Sequence, residues 1–213
     1  MVVVVSTLVL IAGLVGQANA LSASATFTFG AGTLDIVLVN STANPTDVGN
    51  DAISGLVFST SAGSGGTLAS SSAQEITINA GGTFSLGGTV STGWAFGAFG
   101  SGDILCVICS SNPPIAPAHL LIGPPGGATY SNANGSIAGN GPHNPFLNQT
   151  ATFHITNAAF TAGTTISNVT FLTGTTFNAT PPGPPSTPEP ASLLLLGAGL
   201  TGLGVWRSRK GQA

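Results

Sequence analysis

Lysine and arginine are missing from the first 206 residues of this 213-residue chain, because its three cationic side chains are Arg207, Arg209 and Lys210. A region without fixed positive charge has nothing with which to neutralise phosphates, so nucleic acid is set aside as a partner. Ordinary salt bridges are equally out of reach, and stability has to come from apolar burial and backbone pairing. Cysteine is scarce too: the chain has 2, which fits neither a disulfide-dense small fold nor a four-cysteine zinc module. No apolar stripe with a 3.6-residue period runs long enough between the two ends to predict a helix.

What is present is most concentrated at the C-terminus, where three unlike signals abut. Pro188-Glu189-Pro190 forms a rigid turn, Ala191 to Trp206 is an uncharged apolar run, and Arg207, Arg209 and Lys210 follow at once. As a helix the run is about 24 Å long at roughly 1.5 Å per residue, short for a hydrocarbon core of about 30 Å. Bilayer thinning and snorkelling of the basic flank close that gap at modest cost. Cationic flanks resist translocation, so the chain is expected to halt with its C-terminus in the cytoplasm. A plain tail anchor behind a Pro-rich linker is the bland alternative. A lipid-anchor attachment signal shares the hydrophobic tail, but the basic finish speaks against it.

This block resembles the PEP-CTERM sorting signal of bacteria in Pro188-Glu189-Pro190, the Leu/Gly-rich run and Arg207-Ser208-Arg209-Lys210. The resemblance covers roughly the last 26 residues and is specific as a combination. It implies recognition by exosortase, a membrane protease and transpeptidase, cleavage near the tripeptide, and delivery of the preceding domain to the cell surface or exterior. Part of the body, from Trp94 to Phe177, also resembles uncharacterised PEP-CTERM domain proteins, in Gly102-Asp103-Ile104-Leu105-Cys106-Val107-Ile108-Cys109, Asn134 to Phe146 and Thr165 to Phe171. That second resemblance implies one exported domain and brings no activity with it.

At the other end, Val2 to Gly16 is almost unbroken in its apolarity and Ala18-Asn19-Ala20 offers a small-x-small cleavage pattern. Residues 1–20 therefore read as a secretory signal peptide, with Leu21 opening the mature chain. The basic residue that normally precedes such a run is missing, and an upstream start would supply it. A buried N-terminal strand or helix is the competing reading.

Between the ends, Ser, Thr, Gly, Ala and Asn dominate, and short apolar runs alternate with a period of two. Thr26–Phe29, Leu34–Val39, Ile53–Phe58, Glu75–Ile78, Thr83–Leu86 and Thr152–Ile155 each predict a half-buried strand, with Asn44-Pro45-Thr46-Asp47, Ala80-Gly81-Gly82 and Gly123-Pro124-Pro125-Gly126-Gly127 as turns. The Ser/Gly-rich stretch Thr60 to Ser72 reads as an exposed loop. The expectation is a mostly β chain: a single antiparallel β-sandwich or jelly-roll-like exported domain over residues 21–179. A Pro-rich spacer (180–190), a transmembrane helix (191–206) and a basic cytoplasmic tail (207–213) complete it.

Chemistry is sparse within that domain. Cys106-Val107-Ile108-Cys109 has redox spacing but lies in an apolar strand-like run, and Ser110 stands where covalent haem attachment needs His. A structural disulfide, which needs a turn or bulge at Val107-Ile108, and two buried thiols remain open. His119, His143 and His154 match no zinc spacing, so no metal and no cofactor is expected. His143 in Gly141-Pro142-His143-Asn144-Pro145 is either a ligand-contacting loop or a turn. Asp47-Val48-Gly49-Asn50-Asp51 lacks the order of a calcium loop and reads as an Asx-rich turn. Asp35, Asp47, Asp51, Glu75 and Asp103 are the acids available for glycoside hydrolysis, without a recognisable acid/base context, and no Gly-x-Ser-x-Gly elbow occurs. Trp94, Phe96, Phe99 and Tyr130 are candidates for stacking on sugar rings or for the core. The reading is an exported, non-enzymatic surface or extracellular-matrix component whose partners are exosortase, the secretion machinery and, transiently, the membrane. A module binding exopolysaccharide is the alternative; exposed aromatics favour the second and buried ones the first.

Overall fold

The computed structural model describes residues 6–13, 21–108 and 119–175. The Pro-rich spacer, the sorting tripeptide, the apolar run 191–206, Arg207, Arg209, Lys210 and Cys109 lie outside the described residues. Eleven strands and one short helix make up the described chain. The strands are β1 (Ser6–Gly13), β2 (Ser22–Gly30), β3 (Thr33–Asn40), β4 (Ile53–Thr60), β5 (Thr67–Ile78), β6 (Phe84–Val90), β7 (Ala95–Phe99), β8 (Gly102–Cys106), β9 (Leu121–Ile122), β10 (Phe146–Thr156) and β11 (Ile166–Thr173). Helix α1 spans Val48–Asp51. Among the described residues no helix is long and apolar enough to cross a membrane.

All eleven strands join one hydrogen-bonded sheet, in the order β1-β2-β3-β10-β9-β4-β8-β7, with β5 and β6 branching from β10 and β11 from β4. The two-residue β9 is the bridge, pairing β10 in parallel through Leu147 and Asn148 and β4 antiparallel through Ile53. Pairing is antiparallel at every other ladder, so among the described residues β9–β10 is the one parallel pair in a mostly antiparallel sheet.

Alternation decides which face is buried. Ala23, Ala25, Phe27 and Phe29 of β2, Leu34, Ile36 and Leu38 of β3, and Ala151, Phe153 and Ile155 of β10 point one way and are buried. Cross-strand register lines up Phe27, Ile36 and Phe153 in a single row. Phe58 of β4 meets Phe27 edge-on, ring centres 5.2 Å apart, although β2 and β4 share no ladder. The sheet is therefore folded over so that the β4 region faces the β2–β3–β10 region. Each such phenylalanine, shielded from water, contributes roughly 2–3 kcal/mol to that closure. β4 is buried on both sides near its start, because Ile104, Cys106 and Leu172 pack with Val57 on its outer side.

Two local expectations are corrected. Thr60 to Ser72 is not one exposed loop: Thr60 ends β4, the turn follows, and Thr67 to Ser72 open β5. Serine and threonine suit a strand whose neighbour offers matching hydroxyls, as in the 2.9 Å contact between Ser72 and Thr152. The acidic stretch after Pro45 is not only a turn, since Asp47 caps α1 by accepting the Asn50 amide at 2.9 Å. At the N-terminus, residues 6–13 pair antiparallel with β2 along their whole length.

Candidate functional site

The outer face of β3, β10 and β5 carries a shallow hollow of about 320 Å³ lined by Asp35, Val37, Ser70, Ser72, Thr152 and His154. Register builds it. Asp35 lies opposite His154 and His154 opposite Ser70, while Thr152 lies between Val37 and Ser72. The residues two apart on a strand share a face, so this polar row is the obligatory complement of the buried row Ile36–Phe153. His154 Nδ1 and Asp35 Oδ1 are 2.6 Å apart, which fixes the imidazole. Both side chains are solvent-exposed, at 38% and 56%, so screening leaves the pair little energetic weight and its value is orientation. Acid, imidazole and hydroxyl follow one another across three strands, yet no hydrogen bond joins Ser70 to His154 among those of the described residues. The row offers hydrogen-bonding groups of both kinds on an open surface.

The other histidines are tied to the fold. His143 donates from Nδ1 to the Ser136 carbonyl at 2.8 Å, and its neighbour Asn144 holds both the N–H and the C=O of Ile78. His143 thus lies in a turn tied to the fold. His119 donates from Nδ1 to the Thr92 carbonyl at 3.2 Å and turns Nε2 toward Glu75 at 3.6 Å, while its own carbonyl takes the Trp94 indole N–H at 2.8 Å. No group of three or more His, Cys, Asp or Glu is placed to hold a metal among the described residues.

The carboxylates divide sharply. Asp51 is fully buried, its Oδ2 accepting the Thr46 amide at 2.6 Å and the Thr46 hydroxyl at 2.8 Å. Asp103 is fully buried as well and accepts the Gly65 amide at 2.7 Å. Burial pushes the Asp103 carboxyl above its ordinary value of 3.8, against the opposing pull of the Gly65 N–H. Asp103 and Asp51 thus hold loops; neither faces the hollow.

Of the aromatic candidates, Trp94 and Tyr130 are in the core, at 5% and 1% exposure. Trp94 packs on Phe153, and the Tyr130 hydroxyl donates to the Gly123 carbonyl at 3.0 Å. Phe96 stacks on Phe58, and Phe99 at 44% is exposed. One exposed ring is no stacking platform. Cys106 is buried at the end of β8 and disulfide-bonded. Sequence reading missed Ser70, Ser72 and Thr152 as partners of Asp35 and His154. The signal was their position at even spacing along strands, which becomes a site only when register is known.

Residues 186–210 match the family described as the PEP-CTERM protein-sorting motif. No curated protein and no solved structure shows significant similarity to the chain. The chain thus carries an exosortase sorting signal and is an exported protein that passes the membrane on its way to the cell surface.

Proposed function

We propose that the domain is a non-enzymatic structural component of the bacterial surface or extracellular matrix. Residues 1–20 act as a removable signal peptide, 191–206 as a membrane helix, and Arg207, Arg209 and Lys210 as the cytoplasmic stop. Exosortase then cleaves near Pro188-Glu189-Pro190. The observation that carries the structural reading is where the chemistry-bearing side chains are spent. Asp51, Asp103, His119, His143, Trp94 and Tyr130 all serve loops or core.

Glycan binding is the second reading, and the hollow over β3, β10 and β5 supports it. Neutral sugars need hydroxyl, carboxylate and imidazole partners and no cation, which is what Asp35, Ser70, Ser72, Thr152 and His154 supply. A glycan array run beside a hydrolase screen on the exported protein separates the readings. The structural role predicts neither saturable binding nor turnover. Saturable binding that Asp35→Ala and His154→Ala weaken at least tenfold promotes the second reading, and turnover of any polysaccharide overturns both.

A further inference from the structure

A sheet edge is a row of unpaired amide and carbonyl groups, and proteins blunt such edges by keeping them short, bulged, charged or covered. Three of the outer strands here are blunted by their own sequence. β7 has 5 residues. β6 contains Gly87 and Gly88 and meets β5 across a register shift. β11 meets β4 across two shifts, with Asn168 at φ 53 within the first. β2 is different: 9 residues long, uncharged, without proline, and in unbroken register with β3 from Ala23 to Gly30. Among the described residues only β1 covers its other edge, pairing from Ser6–Phe29 to Gly13–Ser22. Every residue of β1 lies within the segment that signal-peptide cleavage after Ala20 removes.

We propose that export uncovers the β2 edge and that the processed domain pairs through it with a second copy, β2 against β2 about a two-fold axis at Thr26. The inference rests on reading residues 1–20 as a removable signal peptide. The edge already accepts an antiparallel strand in the uncleaved chain, so its backbone is in the right geometry. The sequence of β2 is self-complementary in that arrangement. With Thr26 opposite its own copy, Ala25 lies opposite Phe27 of the partner subunit and Ala23 opposite Phe29 of the partner subunit, small against large on the buried face. On the outer face Ser24 meets Thr28 of the partner subunit, so hydroxyls face hydroxyls. No like charges meet, since β2 has none. An isologous pair of this kind closes on itself and leaves no further edge of β2 to extend it.

The test compares exported, signal-processed protein with the intact chain, each N-terminus verified by mass, using light scattering after size exclusion. The processed protein should have twice the protomer mass at about 100 μM, where association tighter than roughly 10 μM is largely complete, and the intact chain the protomer mass. Thr26→Cys places two thiols opposite each other and should give a covalent dimer on mild oxidation in the processed form. Thr150→Cys, on the same outer face but two strands in from the edge, should not. Thr26→Lys sets two ammonium groups together and should return the mass to that of one protomer with the strand circular dichroism unchanged. Protomer mass for the processed protein, with Thr26→Cys cross-linking no better than Thr150→Cys, overturns the proposal. Retention of residues 1–20 in the exported protein overturns it as well, and the N-terminal mass distinguishes that failure of its premise from failure of the edge.

Discussion

Asp103 shows what a buried carboxylate costs in a domain without cations. Its side chain is shielded from water, with the Gly65 amide as the hydrogen-bond donor, and burial raises its pKa above 3.8. The folded state therefore holds this proton more tightly than the unfolded state does. Stability from this group is fully present below pH 3.8 and is lost as pH rises through the raised folded value. Asp103→Asn keeps the oxygen that accepts the Gly65 amide and removes the charge, so it should flatten that fall. Melting temperature measured against pH for both proteins checks this; parallel curves from pH 4 upward count against it. None of this was legible in the sequence, where Asp103 is one acid at the start of an apolar run. Burial of a polar group is a property of what folds over it, here the turn after β4.

Strands were legible where alternation is strong. The six predicted runs fall in β2, β3, β4, β5, β6 and β10, with only Thr83 lying one residue outside. β9 was not, because two residues carry no period, and the first half of β5 was not, because serine-rich composition mimics a loop. What joins these elements is also hidden in sequence. Asn40, at the end of β3, donates from Nδ2 to the Asp51 carbonyl at 2.8 Å and the Leu121 carbonyl at 2.9 Å, and accepts the Thr42 amide at 3.0 Å. One fully buried side chain thus ties β3 to α1 and to β9, the bridge between the two parts of the sheet. Asn40→Ala removes a side-chain partner from two buried carbonyls and one amide, and should cost about 3 kcal/mol, read as a lower urea midpoint with unchanged slope. Gly123 supports the same junction from β9's side, since a Cβ there would collide with the Thr42 carbonyl.

At the scale of the whole chain, the sorting signal was fully legible and the hollow was not, for one physical reason. The signal is contiguous, so Pro188-Glu189-Pro190, the apolar run and the basic end announce themselves by order alone. The hollow needs Asp35, Ser70 and His154 brought together by register across three strands. The two regions also divide the labour of charge. On the proposed route, with no Lys or Arg before Trp206, nothing in the body competes with Arg207, Arg209 and Lys210 in setting orientation, and export is expected to run until the apolar segment enters the bilayer. Proline at 188 and 190 disfavours helix at and just before the tripeptide, which on the same proposal suits it to a protease. Recognition and anchoring are thereby separable. Replacing Pro188, Glu189 and Pro190 by alanine should leave a full-length, membrane-bound precursor in a host with the sorting enzyme. Replacing Arg207, Arg209 and Lys210 by glutamine should instead deplete the membrane-held precursor before processing, seen as secreted protein that retains its C-terminal mass. Trimming of the triple-alanine variant at the parent's rate would mean that the tail only anchors.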